Sequence, residues 1–185
     1  MKKILLITVF TVLSFSSLFS RAEGVIDKIC LYIPNRIIDV VDIFTLEVGA
    51  GPVARAELQL TEAFQFGAGV GSTARVVKAI NRQYGGCYEN GWNGGFTCVM
   101  GENMERSENS RWVQSYWEDY SGFPSPSQEI YNLYTGAKDY WAIGGTLGLG
   151  IEGAFYIHPV EIADLITGIF FLDIKGDDLI FEDFE

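Results

Sequence analysis

Residues 140–157 read Tyr140-Trp-Ala-Ile-Gly-Gly-Thr-Leu-Gly-Leu-Gly-Ile-Glu-Gly-Ala-Phe-Tyr-Ile157. Trp141, Ile143, Leu147, Leu149, Ile151, Phe155 and Ile157 share one parity, and Ala142, Gly144, Thr146, Gly148, Gly150, Glu152 and Ala154 share the other. Period two over this length predicts a strand with one apolar face and one small or polar face. His158-Pro159 ends it. Ile162, Leu165, Ile166, Ile169 and Phe170 then follow helical spacing, with Glu161 and Asp164 opposite and a proline at the first helical position.

A similar unit stands near the N-terminus. Ile37, Val40, Val41 and Phe44 keep helical spacing, with Arg36, Asp39 and Asp42 on another side, which predicts a helix over about residues 35–44. Pro34-x-x-Ile37-x-Asp39-Val40-Val41 parallels Pro159-x-x-Ile162-x-Asp164-Leu165-Ile166. From Thr45 the period switches to two: Leu46, Val48 and Ala50, then Ala54, Ala56, Leu58 and Leu60, then Phe64, Phe66, Ala68 and Val70 alternate with Glu47, Arg55, Glu57, Gln59 and Gln65. These read as antiparallel strands with a hairpin at residues 61–63 and one wet face. Residues 74–83 fit either a strand or a short helix. Residues 85–136 hold clusters such as Asn93-Gly94-Gly95 and Ser121-Gly-Phe-Pro-Ser-Pro-Ser127, the mark of loops, together with many aromatic residues. This predicts a loop-rich insertion packed on the sheet, with a short helix over residues 111–120. The fold class is α+β: a twisted antiparallel sheet of four to six strands with two amphipathic helices, in one domain over residues 23–185. The helices are expected to cross the glycine face of the 140–157 strand, and Trp141, Leu147 and Leu149 to meet the insertion or a second layer.

The first 22 residues have the three-part plan of an export signal: Lys2 and Lys3, an apolar run over residues 4–19, then Ser20-Arg21-Ala22 before the cut. The run is shorter than the ~20 residues of a spanning helix. Cleavage removes three basic residues and lowers the formal net charge from −11 to −14. Such an acidic chain is repelled by polyanions, which excludes nucleic acid as a partner. Export permits disulfides. Of Cys30, Cys87 and Cys98, the last two flank a turn-rich stretch and are the expected pair; Cys30 bonded to either is the alternative.

Two motifs resemble those of a group of uncharacterised exported bacterial proteins. One is Asn35-Arg36-x-x-Asp39-x-x-Asp42-Ile43 followed by Val48-Gly-Ala-Gly-Pro52. The other is His158-Pro159-x-Glu161-x-x-Asp164-x-x-x-Gly168, followed by Asp173 and Asp177-Asp178. The resemblance covers about a third of the chain. It implies an envelope location and a shared fold, and it carries over no catalytic residue.

Three constellations are candidates for chemistry. Asp173, Asp177 and Asp178 offer oxygen ligands for a metal, without the spacing of an EF-hand loop. Asp39, Asp42, Glu161 and Asp164 supply carboxylates of the kind that act on glycans, but their helical spacing suits ion pairs. Trp92, Trp112, Tyr116, Trp117 and Tyr120 are a candidate ligand platform. His158 is the sole imidazole and has no partner identifiable by spacing. The expected role is therefore non-enzymatic and cofactor-free: an exported protein of the periplasm or outer membrane, structural or binding an envelope protein or a glycan, with membrane-surface association open. A glycan-active protein is the first alternative. A small outer-membrane β-barrel is the second, and it is disfavoured by the four or five strands legible in the sequence, against eight in the smallest single-chain barrels.

Overall fold

The computed structural model describes residues 29–170 together with 172, 175, 178 and 179. The expected signal segment, Asp173 and Asp177 lie outside them. Helix α1 (Tyr32–Asp42) leads into β1 (Phe44–Thr61), β2 (Phe64–Ala79), β3 (Gln83–Thr97), β4 (Val99–Glu108) and β5 (Tyr116–Gly122). A linker with one 3₁₀ turn (Glu129–Tyr131) leads to β6 (Ile143–Ile157) and α2 (Pro159–Gly168). The six strands form one antiparallel sheet in the order β5-β4-β3-β2-β1-β6. The α+β class and the two helices are as expected.

The region expected to be an insertion is instead half of the sheet. Residues 83–108 form the β3–β4 hairpin, and residues 116–122 are strand β5 rather than a helix. Glycine and asparagine within β3 alternate with Tyr84, Tyr88, Trp92 and Phe96, so the period of two survives the loop-like composition. Residues 74–79 continue β2, and the turn that follows places Asn81 and Arg82 in the left-handed region, at φ 53° and 57°.

The sheet is strongly curled. Arg106 on β4 donates to Glu47 on β1 at 3.1 Å, three strands away. In a flat sheet those strands would lie ~14 Å apart, with side chains standing off the surface rather than along it. Strand β6 curls most. Gly150, at φ 77°, marks a bend, and the two halves of the strand lie against each other. A Cβ on Gly148 would stand 2.7 Å from Glu152 Cα, and one on Gly144 would stand 2.6 Å from Tyr156 Cα. The hydroxyls of Thr146 and Tyr156 are 2.8 Å apart. The glycine face of this strand thus receives the strand's own second half, not the helices.

The curl makes an inside, and the inside is polar. Among the described residues, twenty buried side chains are polar or charged and fourteen are apolar, so the sheet is not organised around a hydrophobic core. Apolar clusters are small: Val77, Ala79, Cys87 and Val113 form one, and Ala63, Tyr131 and Tyr140 form another. The side expected to be wet is the buried one. Leu147 and Leu149, expected to meet a second layer, are 73% and 85% exposed.

Candidate functional site

The inner face is built by the alternate residues of the strands. Glu47, Arg55, Glu57 and Gln59 come from β1, Thr73 and Arg75 from β2, Glu89 from β3, Glu102 and Arg106 from β4, Tyr116 and Glu118 from β5, and Glu152 from β6. Arg75 donates to Glu47 at 2.6 Å, lies 2.7 Å from Glu89 and also pairs with Glu152. Arg55 donates to Glu89 at 2.7 Å and stands 3.5 Å from Glu152. Arg106 donates to Glu89 at 2.9 Å as well as to Glu47. Each arginine therefore ties together strands that the sheet does not place side by side.

Burial alone would raise the Glu89 carboxyl, but the guanidinium groups of Arg106, Arg75 and Arg55 hold it far below the usual carboxylate range. Burial pushes Glu57 up to about 7, only partly offset by Arg55. A second cluster lies beside the first. Lys138, from the linker, bonds Glu102 at 3.1 Å and also Glu118, and both Lys138 and Arg106 stand over the ring of Tyr116, 5.0 and 5.2 Å from its centre. Glu62 accepts from Gln59 and from the Tyr131 hydroxyl, both at 3.0 Å, which ties the linker to the β1–β2 turn. A cavity of about 120 Å³ remains among these groups, room for a few waters at ~30 Å³ each.

His158 does have partners, though sequence spacing does not reveal them. Its Nε2 lies 2.8 Å from Thr45 Oγ1 and its Nδ1 lies 2.7 Å from Asp139 Oδ2. Hydroxyl, imidazole and carboxylate in series form the chain used in nucleophilic catalysis. Here Thr45 and His158 are 6% and 3% exposed, and the chain joins the start of β1, the end of β6 and the linker.

The remaining motif residues converge on one polar knot between the helices. Arg36 bonds Asp39 at 2.6 Å and Asp178 at 2.8 Å. Lys175 bonds Glu161 at 2.7 Å through its ammonium, and its backbone N–H donates to Asp164 at 3.1 Å. Asn35 accepts from the backbone of Leu179 at 2.9 Å, and Asp42 lies 3.6 Å from Lys78. Pro159 opens α2. The helices cross so closely that a Cβ on Gly168 would fall 1.2 Å from Arg36 Nη1. The matching helical units therefore pack on each other. They bury Asn35, Asp39, Asp42, Glu161 and Asp164, and they expose Ile33, Ile37, Val40, Ile166 and Ile169. Asp178, a candidate metal ligand in the sequence, bonds Arg36 here.

No family model, no curated protein and no solved structure matches the chain.

The other sequence candidates are dispersed. Tyr116 and Tyr120 point inward while Trp92 and Trp117 point outward on 50% and 66% exposed positions, and Trp112 sits beside Arg111 before β5. Strand alternation thus divides the expected platform between two faces. Cys87 and Cys98, the expected pair, stand apart as free thiols in this structure. The turn-rich stretch between them is strand β3, so Cys87 is buried within the strand and Cys98 lies beyond its far end; Cys30 is also a free thiol.

The feature that sequence reasoning missed is the outer face. On β1 it carries Phe44, Leu46, Val48, Ala50, Pro52, Ala54, Ala56, Leu58 and Leu60, and on β6 Ile143, Gly145, Leu147, Leu149, Ile151, Gly153, Phe155 and Ile157. β2 adds Phe64, Phe66, Val70 and Val76, and β3 adds Tyr84, Tyr88, Trp92 and Phe96. Polar residues take over on β4 and β5, where Asn103, Glu105, Ser107, Asp119 and Ser121 face out. The available signal was the absence of any charge at the outward positions of β1 and β6.

Proposed function

We propose that this chain is an exported, non-catalytic envelope protein embedded in a membrane. The outer face of β3, β2, β1 and β6 lies in lipid, and the β4–β5 side faces water. The observation that carries the reading is an inversion over β3, β2, β1, β6 and the helices: paired charges inside, and apolar side chains outside. Contiguous apolar patches on water-soluble monomers rarely exceed a few hundred Å². A single protein partner covers one patch, whereas a lipid phase covers apolar side chains exposed along four strands and on two helices as well.

The membrane reading is the barrel-like alternative in modified form. The buried pairing of Asp39 and Asp164 argues against their use in glycan hydrolysis.

Fractionation of cells making the full chain tests the reading. The protein is expected in the envelope membrane fraction, retained through an alkaline carbonate wash and released by detergent. Recovery as a soluble periplasmic protein without detergent contradicts it.

A further inference from the structure

The two edges of the sheet are not alike. β5, at one edge, is seven residues long and carries Glu118 and Asp119 side by side. Short, charged edges resist pairing with another chain. β6, at the other edge, is fifteen residues long and contains no proline, lysine or arginine. Its one carboxylate, Glu152, is turned inward and taken up by Arg75. Among the described residues β6 pairs with β1 alone, and no other backbone hydrogen bond reaches residues 143–157. Its far side therefore presents a row of unpaired N–H and C=O groups.

The bend in β6 decides which strand fits there. Ala50 of β1 faces Ile151 and Ala54 faces Leu149, so residues 51–53 all stand opposite Gly150. The fold in the sheet thus crosses β1 at 51–53 and β6 at Gly150, whose φ is 77°. A straight strand laid on this edge follows one half of β6 only. A strand bent at its own midpoint follows both, and β6 is such a strand, with residues 143–149 before the bend and 151–157 after it. We infer that β6 pairs edge to edge, antiparallel, with β6 of a second copy, Gly150 against Gly150 on the twofold axis. The contact is made by the same edge on both copies, so it closes at two. In that register Leu149 faces Ile151 of the other copy, Leu147 faces Gly153, Gly145 faces Phe155 and Ile143 faces Ile157, all on the outer side. Gly153 has no reason within its own chain to be glycine: a Cβ there meets nothing within 4 Å, and its φ is not left-handed. Opposite Leu147 it leaves room for a large side chain, and an aromatic residue laid over an edge glycine, as Phe155 over Gly145, is a known aid to register. The pairing does not rest on the membrane reading. In lipid an open edge does not occur, and in water it is a template for another chain.

The test begins with the mass of the full-length protein by sedimentation, in detergent micelles or in buffer if it dissolves without detergent. A doubled mass is expected in either medium. A monomer in micelles overturns the pairing and leaves the membrane reading intact, whereas a dimer in buffer alone supports the pairing and contradicts the membrane reading. Register is then read with two co-expressed, differently tagged copies carrying Cys30→Ser and Cys98→Ser, since Cys87 is buried. Leu149→Cys in one copy and Ile151→Cys in the other are expected to give a disulfide-linked heterodimer on oxidation. Its yield should exceed severalfold that of Leu147→Cys with Ile151→Cys, a register two residues off, because cysteines whose Cα atoms lie more than ~7 Å apart do not bridge. Equal or reversed yields overturn the twofold at Gly150. Linking of Leu149→Cys to Asp119→Cys in preference to Ile151→Cys overturns the choice of β6 as the partner strand in favour of a head-to-tail contact with β5.

Discussion

Strand β1 carries two interleaved sequences with opposite chemistry. Glu47, Arg55 and Gln59 face inward and are buried, with Glu57 half-buried beside them, while Leu46, Val48, Leu58 and Leu60 face outward and are about half exposed. In water the first set would be solvated and the second buried. On the membrane reading proposed above, the two sets answer to two surroundings: a polar interior held by mutual pairing, and an outer surface set against lipid. The outer face over β4 and β5, with Glu105, Ser107 and Asp119, supplies the internal control.

The largest expected effect comes from breaking the inner face. Arg75 answers Glu47, Glu89 and Glu152 at once. Arg75→Met leaves those carboxylates buried and short of one cation, which should cost about 3–5 kcal/mol, read as a lowered denaturation midpoint in detergent micelles. Next is the outer face. Leu147→Arg should cost ~2–4 kcal/mol in lipid if it sits at mid-depth, falling to ~0–1 near the interface; the same change at Ser107 should lie within ~0.5 kcal/mol. Equal, small effects at both positions would erase the difference between the two sides. Gly168→Ala should come third, because the new methyl must displace Arg36 from the helix crossing. Overpacking of this kind costs ~1–3 kcal/mol, and loss of helical signal ahead of sheet signal on heating would report it.

The smallest effect concerns pH. Burial raises Glu57 to about 7 from an ordinary 4.5, so the folded state holds this proton more tightly than the unfolded chain does. The stabilisation is complete below the unfolded value and is lost as pH rises through the folded one. The denaturation midpoint should therefore fall between about pH 5 and about pH 8, and Glu57→Gln should flatten that slope. Glu89, whose carboxyl is depressed, works in the opposite direction and only at more acid pH.

Much of the architecture was legible. The parity of residues 140–157 and 45–70 gives the strands, Pro159 and the apolar spacing give α2, and the step at residues 61–63 gives the β1–β2 hairpin. Parity divides a strand into two faces but does not say which face meets solvent, and assigning Glu47, Arg55 and Glu57 to water reversed the molecule. The same reversal hid the helix knot, because Asn35, Asp39, Asp42 and Asp164 suit a solvated face until a second polar helix is laid against them. Strand β3 was concealed by Gly91, Gly94 and Gly95, which match a loop in composition but leave the alternation of Tyr88, Trp92 and Phe96 intact. The partners of His158 come from residues 19 and 113 positions away, and no local pattern announces them.

Spin labels placed at Leu147 and at Ser107 ask the central question most directly. The background would carry Cys30→Ser and Cys98→Ser, since Cys87 is buried. With the protein in phosphatidylcholine vesicles, collision with oxygen, which concentrates in lipid, is compared with collision with a water-soluble nickel chelate. The account predicts that the label at Leu147 is reached by oxygen and shielded from nickel, with the reverse at Ser107. Ready access of nickel to both labels would contradict it.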